Sequence, residues 1–150
     1  MDKQIFLDQL QCLVEDEPNV IANLSNISAY LNEYFDDINW IGFYLYDDHE
    51  LVLGPFQGKV ACLRIPIGKG VCGCAVKQKE VLRIDDVHQF PGHIACDSQS
   101  CSEIVLPIYD EKKIYGVLDI DSPHYHRFTQ DDQELLEQVS KIILKYVFQK

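Results

Sequence analysis

The 150-residue chain has the length of one ordinary domain, and we expect a single domain over residues 1–150. Its 13 basic and 24 acidic residues give a formal net charge of −11, which argues against nucleic acid and membrane surfaces as partners because both are anionic. Hydrophobic residues make up 47% and charged residues 25% of the chain, a balance typical of globular proteins.

The sequence shows neither the continuous apolar region of an export signal at its N-terminus nor a membrane-spanning apolar run further on. Acidic side chains interrupt the N-terminal apolar pattern, and no later run approaches about eighteen apolar residues. We therefore expect a cytoplasmic protein. In that reducing compartment, thiols tend to be catalytic, redox-sensing or metal-binding, and five of the six cysteines fall between Cys62 and Cys101.

Helices are predicted at both ends of the chain. Apolar residues recur at helical spacing over 5–14 and again over 20–34, with Pro18 between the two segments. Thr129 is a good N-cap for a last helix that continues to Val147, because acidic residues occupy the turn that follows it.

Strands are predicted between these helices. The predicted strands are 38–46, 51–56, 60–67, 81–84, 103–109 and 114–122, with a short helix over 71–78. The first two and the last two strands form hairpins around short polar turns. Helices that bracket a mostly antiparallel sheet define an α+β fold. Residues 85–101 form a loop longer than most connections in a compact domain, and such loops are usually functional.

Cys96 lies in this loop, within PGHIACDSQS, where no periodic pattern assigns it to the core. A free cysteine is more often an inert, buried residue. Here His88 and His93 can supply positive charge that favours a thiolate, and Gly92 permits close backbone approach. We therefore predict that Cys96 is reactive.

Other thiols could act with Cys96, and the pattern leaves open which one does. Cys62 lies on the third predicted strand and, taken alone, is more typical of a small core residue. Cys72 and Cys74 lie at the start of the short helix, where amide donors and the helix dipole are expected to lower a thiol pKa. A resolving step needs only one partner for Cys96.

Three carboxylates and two aromatic residues form a second candidate group. Asp119 and Asp121 stand two apart on the last predicted strand and share one face, and Glu103 opens the neighbouring strand. Solvated sheet positions are the usual interpretation, but converging carboxylates suit an ammonium-bearing ligand. Trp40 and Tyr44 share a face of the first strand and form either core packing or an apolar wall for a thioether chain.

Zinc binding is an alternative use of the cysteines and histidines between positions 62 and 101. Structural zinc sites favour paired C-x₂₋₄-C knuckles, whereas this chain has C-x-C at 72–74 and scattered single cysteines. The spacing therefore predicts no metal site, and a zinc-stabilised interaction module is the weaker interpretation.

Several segments, in order over about residues 36–140, resemble those of GAF-domain free methionine-(R)-sulfoxide reductases. They are NWIGFYLY, GPFQGKVACLRIPIGKGVCGCAV, DVHQFPGHIACDSQS, SEIVLPI and GVLDIDS. The tract 86–98 is the most specific, since the wider GAF superfamily does not share it. The resemblance implies a GAF fold, with a central antiparallel sheet, N- and C-terminal helices on one side and a loop-covered ligand pocket on the other.

The resemblance also implies roles for individual residues. Cys96 would be the catalytic cysteine, Cys62 its resolving partner and Cys72 an auxiliary or alternative resolving cysteine. The implied substrate-binding residues are Trp40, Tyr44, Glu103, Asp119 and Asp121. Cys74 and Cys101 lie outside the family pattern.

The implied reaction reduces free methionine-(R)-sulfoxide to methionine. It would proceed through a cysteine sulfenic acid and an intramolecular disulfide, which a thioredoxin-like reductant reopens without any bound cofactor. A protonated carboxyl group or a water would protonate the departing oxygen. The resemblance further implies a homodimer. The main alternative is a GAF small-ligand or redox sensor without turnover.

Overall fold

Six strands of the described residues, 1–94 and 98–150, form one antiparallel sheet in the computed structural model. They are β1 (Trp40–Tyr46), β2 (Glu50–Gly58), β3 (Arg64–Pro66), β4 (Leu82–Ile84), β5 (Ser102–Tyr109) and β6 (Ile114–Ser122). Their order across the sheet is β3-β2-β1-β6-β5-β4. Strands β1 and β6 therefore lie at the centre, and the two predicted hairpins, β1 with β2 and β5 with β6, are confirmed.

Four α-helices surround this sheet within the described part of the chain. They are α1 (Lys3–Val14), α2 (Val20–Tyr34), α3 (Gly70–Gln78) and α4 (Gln130–Ile143), and a π-helical turn, Leu144–Phe148, extends α4. Thr129 and Asp132 form a capping box at the start of α4, which confirms the predicted N-cap. None of these helices is long and apolar enough to cross a membrane.

The larger core lies between the sheet and the helices α1, α2 and α4. Side chains such as Phe6, Leu24 and Leu136 meet Ile41 and Leu118 from the sheet, and all five are fully buried. The periodic apolar positions of each helix supply this contact, because residues three and four apart share one helix face. The predicted α+β class is confirmed.

A smaller core occupies the opposite face of the sheet, beneath α3. Trp40 and Tyr44 from β1, Val105 from β5 and Val117 from β6 pack there with Val71 from α3. This second core borders a cavity. The predicted GAF arrangement, with terminal helices on one side of the sheet and a pocket on the other, is therefore confirmed.

The third strand is shorter than the sequence predicted. Regular pairing covers only Arg64–Pro66, and the preceding residues run as an irregular segment after Gly58, whose φ of +142° ends β2. Cys62 lies in that irregular segment, so its predicted place on a strand is wrong. A single backbone hydrogen bond, from Leu53 N–H to the Leu63 carbonyl (2.9 Å), ties the segment to β2.

The long loop predicted after β4 contains a short 3₁₀ turn, Val87–Gln89. The first two backbone N–H groups of this turn donate hydrogen bonds within the protein. The Asp86 carboxylate accepts a hydrogen bond from His88 N–H, and Val87 N–H bonds to the Cys101 carbonyl (2.9 Å). Val87 is fully buried, which anchors the loop against the sheet. Cys96 lies outside the described residues.

Candidate active site

A cavity lies on the sheet face that α3 covers. Strands β1, β5 and β6 supply its floor, α3 borders it on one side, and the loop that follows β4 contributes His93 and Ile94. Its lining residues are Trp40, Tyr44, Ile65, Gly70, Val71, Cys72, His93, Ile94, Ser100, Glu103, Asp119 and Asp121. The structure thus brings together around one space the five residues that the sequence assigned to substrate binding, together with Cys72.

The three carboxylates meet because of strand register. Glu103 on β5 stands directly opposite Asp121 on β6, and Asp119 follows two residues away on the same face of β6. Glu103 hydrogen-bonds with both aspartates. Only 6% of Glu103 and 5% of Asp119 is exposed, so these groups are not the solvated sheet positions that the commoner interpretation assumed.

Burial raises the pKa of Glu103 well above its usual range, and repulsion from Asp121 raises it further. Burial likewise raises the pKa of Asp119, and the negative charge of Glu103 raises it further by a smaller amount. The cluster therefore retains a proton to higher pH than isolated carboxyl groups do, and that proton can be shared across the hydrogen bond between two carboxyl oxygens.

One oxygen of the cluster has no partner within the described part of the chain. Asp119 Oδ1 is buried and accepts no hydrogen bond from a described residue. A buried acceptor left in this state costs free energy, typically about 1–3 kcal/mol. A hydrogen-bond donor of a ligand placed beside this oxygen would remove that cost.

Cys72 lies in the first turn of α3, beside the carboxylates. Its Sγ and one oxygen each of Glu103 and Asp119 lie within 4.8 Å of one another. Burial raises the pKa of the Cys72 thiol well above its usual range, and the negative charge of Asp119 adds to this effect. The predicted lowering of its pKa is therefore wrong, because desolvation and acidic neighbours outweigh the helix dipole.

The same three groups are the ones that could hold a metal ion among the described residues. They combine one sulfur with two carboxylate oxygens, whereas structural zinc sites favour sets of cysteine and histidine. Cys74, the other half of the C-x-C pair, points instead to the Gly68 carbonyl, at 3.5 Å from its Sγ. The two cysteines of the C-x-C pair therefore have different neighbours, Cys72 beside the carboxylates and Cys74 beside Gly68.

Trp40 and Tyr44 form the aromatic wall of the cavity, and a third ring, that of Phe56, stacks on Trp40. The Trp40 and Tyr44 ring centroids lie 5.8 Å apart at 22°, and Phe56 from β2 stacks on the other side of Trp40 at 5.1 Å and 15°. Phe56 reaches this position because it pairs with Gly42, whose missing side chain leaves room for it.

The polar ends of the wall point to the segment before β3. Trp40 Nε1 donates to the Lys59 carbonyl (3.2 Å), and the Tyr44 hydroxyl donates to the Cys62 carbonyl (2.9 Å). Burial and the nearby Asp119 charge raise the pKa of Tyr44, which keeps its hydroxyl protonated as a donor.

His93 is placed against the acidic cluster. Its Nε2 lies 3.7 Å from Glu103 Oε1, and both side chains are largely buried. Burial lowers the pKa of the His93 ring, which favours the neutral ring at neutral pH. This direction runs against the expectation that His93 contributes positive charge, because burial disfavours the charged ring.

The described cysteines differ in state and in place. Cys62 is half-buried and disulfide-bonded. The free cysteines among the described residues are Cys12, Cys72, Cys74 and Cys101. Cys12 lies on α1, away from the cavity, whereas Cys72 lines it.

Comparison with known proteins agrees with this fold. Residues 13–143 match the GAF domain family. The chain is 58% identical over 127 residues to the free methionine-R-sulfoxide reductase of Escherichia coli, covering 85% of this chain and 77% of that relative. The chain belongs to the free methionine-R-sulfoxide reductase family of GAF domains. It is also 44% identical to the Saccharomyces cerevisiae enzyme of the same name, with 97% and 87% covered.

Solved structures place the chain among free methionine-R-sulfoxide reductases as well. It is similar to that of Staphylococcus aureus in complex with substrate, with a TM-score of 0.91, 54% identity and coverage of 97% of this chain and 95% of that chain. The Neisseria meningitidis enzyme in complex with its substrate gives a TM-score of 0.92 at 44% identity, with 96% and 87% covered. The chain is therefore a member of an enzyme family.

Sequence reasoning missed several lining residues of this reductase-family cavity. Ile65 lies in the three-residue strand β3 and Ile94 lies in the irregular loop after β4, and no periodic pattern assigns a face to either residue. Ser100 accepts a hydrogen bond from Asn39 Nδ2 (3.0 Å). The two residues are 61 positions apart, so no local sequence pattern predicts this contact. Gly70 could have been anticipated, because a glycine at φ +61° is typical of the turn that starts α3.

Proposed function

We propose that this protein reduces free methionine-(R)-sulfoxide to methionine. The observation that carries the proposal is the pair of buried carboxyl groups, Glu103 and Asp119, inside a cavity walled by stacked aromatic rings. The named activity of the Escherichia coli and Saccharomyces cerevisiae relatives, and the substrate complexes of similar structures, support the same substrate.

The carboxyl cluster would select an unblocked amino acid. An α-ammonium group can donate to the carboxylate oxygens, including Asp119 Oδ1, which accepts from no described residue. A peptide nitrogen carries no charge and fewer hydrogen atoms, so a peptide-bound methionine sulfoxide would leave buried negative charge unpaired. This asymmetry supports a preference for the free substrate over protein-bound residues.

The aromatic wall would hold the rest of the side chain. The faces of Trp40 and Tyr44 offer apolar surface to the methylene groups and the S-methyl group. With the ammonium held at one carboxylate of the cluster, the sulfoxide oxygen would lie within reach of another carboxyl group, and its sulfur would face the edge of the cavity that the loop after β4 covers. That loop carries Cys96 in the sequence.

In the proposed reaction, the Cys96 thiolate attacks the sulfoxide sulfur, and a protonated carboxyl group of the cluster gives its proton to the oxygen. Methionine leaves, and the oxygen remains on Cys96 as a sulfenic acid. The raised pKa values of Glu103 and Asp119 support the proton-donor step, because one carboxyl group of the cluster can keep a proton while another stays charged to hold the ammonium. Sulfur carries the oxidation throughout, without a bound cofactor.

Cys62 would then attack the sulfenic acid, which releases water and forms a disulfide. Its disulfide-bonded state in the structure supports a resolving role. The burial and raised pKa of Cys72 fit an auxiliary position better than a fast nucleophile. A thioredoxin-like dithiol would reopen the disulfide by exchange. We expect the active form to be a cytoplasmic homodimer of single GAF domains, 1–150.

The deciding experiment measures methionine release from free methionine-(R)-sulfoxide with dithiothreitol, for the wild type, Cys96→Ser and the control Cys12→Ser. We expect turnover by the wild type and the control only. Turnover that survives in Cys96→Ser would remove Cys96 as nucleophile. Binding of the R epimer without turnover by the wild type would favour the sensor. The N-acetylated substrate should react poorly, because it lacks the ammonium group.

A further inference from the structure

The segment 59–64, here called the Cys62 loop, presents apolar side chains to solvent. Val60 is 88% exposed and Leu63 71% exposed, which makes them the two most exposed large apolar residues of the described chain. They stand on either side of the half-buried, disulfide-bonded Cys62. Exposed apolar side chains grouped around a redox-active sulfur are typical of a contact surface.

The backbone of this loop is held in place. Its carbonyl groups at Lys59, Cys62 and Leu63 accept hydrogen bonds from Trp40 Nε1, the Tyr44 hydroxyl and Leu53 N–H respectively, at 3.2, 2.9 and 2.9 Å. The exposure of Val60 and Leu63 is therefore a property of a fixed loop, since its anchors lie on strands of the sheet. A preorganised surface loses less conformational entropy on binding.

The charge of the loop differs from that of the whole chain. Lys59 and Arg64 stand at its two ends, and no acidic residue lies between them, although the chain carries a net charge of −11. Arg64 is exposed and pairs with Asp47 at 3.2 Å. The loop thus has an apolar centre with Lys59 at one end and the Arg64–Asp47 ion pair at the other, which suits a partner whose own contact face is apolar with an acidic residue facing Lys59.

We propose that the Cys62 loop is the docking surface for a dithiol protein of the thioredoxin class, which reduces the enzyme. This inference rests on the proposed function, because it assigns a surface to the recycling step. A thiol on a partner protein can reach the Cys62 sulfur only if the partner surface around that thiol covers the residues beside Cys62. Val60 and Leu63 are those residues, and their burial would stabilise the encounter.

The exchange balances without a further reactant. The thiolate of the partner attacks Cys62 Sγ, the bond between Cys62 and Cys96 breaks, and Cys96 leaves as a thiolate. The second thiol of the partner then attacks the partner's own sulfur in the mixed disulfide and releases the Cys62 thiolate. Two electrons pass from the dithiol to the enzyme, and the partner leaves as a disulfide.

The test follows reduction of the oxidised protein directly, by counting thiols, with purified thioredoxin or with dithiothreitol as reductant. The variants are Val60→Asp, Leu63→Asp and their combination, and Ile21→Asp on α2 is the control, since Ile21 is 55% exposed on another face. We expect the double variant to be reduced by thioredoxin about tenfold more slowly and by dithiothreitol within about twofold of the wild type. The control should match the wild type with both reductants.

Equal thioredoxin rates for the double variant and the wild type would overturn the docking surface. A similar loss with dithiothreitol would also overturn it, because the loop would then act through the structure of the disulfide and not through docking. This readout needs no methionine sulfoxide. Failure of substrate turnover in the wild type would therefore count against the proposed function alone.

Discussion

The hydroxyl group of Tyr44 donates a hydrogen bond to the backbone carbonyl oxygen of Cys62 over 2.9 Å. Tyr44 lies on the central strand β1 and lines the cavity, whereas Cys62 lies in an irregular loop beyond β2. One contact thus connects the wall of the proposed substrate site to the backbone of the proposed resolving cysteine. We expect this contact to set how quickly the disulfide closes.

Tyr44→Phe tests this link, because it removes only the hydroxyl oxygen. A hydrogen bond of this kind contributes about 1 kcal/mol, so we expect disulfide formation after one turnover to slow about fivefold. The ring stack with Trp40 remains, and substrate affinity should change less than the rate. Rapid quenching with thiol counting measures disulfide formation, and substrate titration measures affinity.

Tyr30→Phe is the matched control for Tyr44→Phe. The Tyr30 hydroxyl donates to the Phe6 carbonyl over 3.0 Å, on the helical side of the sheet. This substitution should lower the free energy of unfolding by a similar amount, about 1 kcal/mol, and leave disulfide formation unchanged. Equal slowing in both variants would show that the effect is one of general stability.

The buried Glu103 predicts a distinctive dependence of stability on pH. Its folded pKa lies above its usual value of 4.5, so its contribution to stability is complete below pH 4.5 and is lost as pH rises through the folded pKa. Glu103→Gln has no such loss. We expect the variant to gain about 1–3 kcal/mol relative to the wild type between acidic and mildly alkaline pH.

Urea unfolding at a series of pH values measures this difference. Asp47 and Asp110 have lowered pKa values because backbone amides and polar side chains hydrogen-bond to them, and they shift stability in the opposite direction with pH. They are present in both proteins, so their effects cancel in the comparison. A wild-type minus variant difference that stays constant with pH would contradict the raised pKa of Glu103.

Cys72 should react slowly with alkylating reagents in the reduced protein. Only 4% of the residue is exposed, and burial raises the pKa of its thiol, so little thiolate reaches solvent. At neutral pH we expect iodoacetamide to modify Cys72 at least about tenfold more slowly than the exposed Cys12. Peptide mass spectrometry follows both sites. Similar rates in the native protein, and not only in urea, would identify Cys72 as a reactive thiol.

Gly42→Ala should disturb the aromatic wall through the backbone. A Cβ at position 42 would lie 2.3 Å from the Cβ of Phe56 and 2.8 Å from the Pro55 carbonyl oxygen, so β1 and β2 would have to separate. We expect a loss of about 1–3 kcal/mol in the free energy of unfolding and weaker substrate binding, because Phe56 supports Trp40.

Gly54→Ala provides the comparison for Gly42→Ala. Its added Cβ would lie 3.1 Å from the Phe43 carbonyl oxygen, a contact that a small shift relieves. Urea unfolding of both variants should show the smaller loss at position 54. A Gly42→Ala protein as stable as the wild type would mean that the two strands tolerate separation at this point.

Much of the fold could be predicted from local pattern. The helical spacing of apolar residues predicted α1, α2 and α4, and the alternation along the strands placed Asp119 with Asp121, and Trp40 with Tyr44, on common faces. These predictions succeeded because the period of a helix or a strand is a property of the backbone itself. The motifs also carried the family resemblance that the comparisons confirm.

Only the tertiary structure decided the state of each group. The sequence placed Cys72 at a helix start, which favours a thiolate, but the cover of α3 over the acidic strands raises its pKa. The sequence also placed Cys62 on a strand. In the structure the chain leaves β2 at Gly58, and a hydrogen bond from the Tyr44 hydroxyl to the Cys62 carbonyl holds the irregular loop that follows. Desolvation and repulsion between charges depend on neighbours distant along the chain, and no local period encodes them.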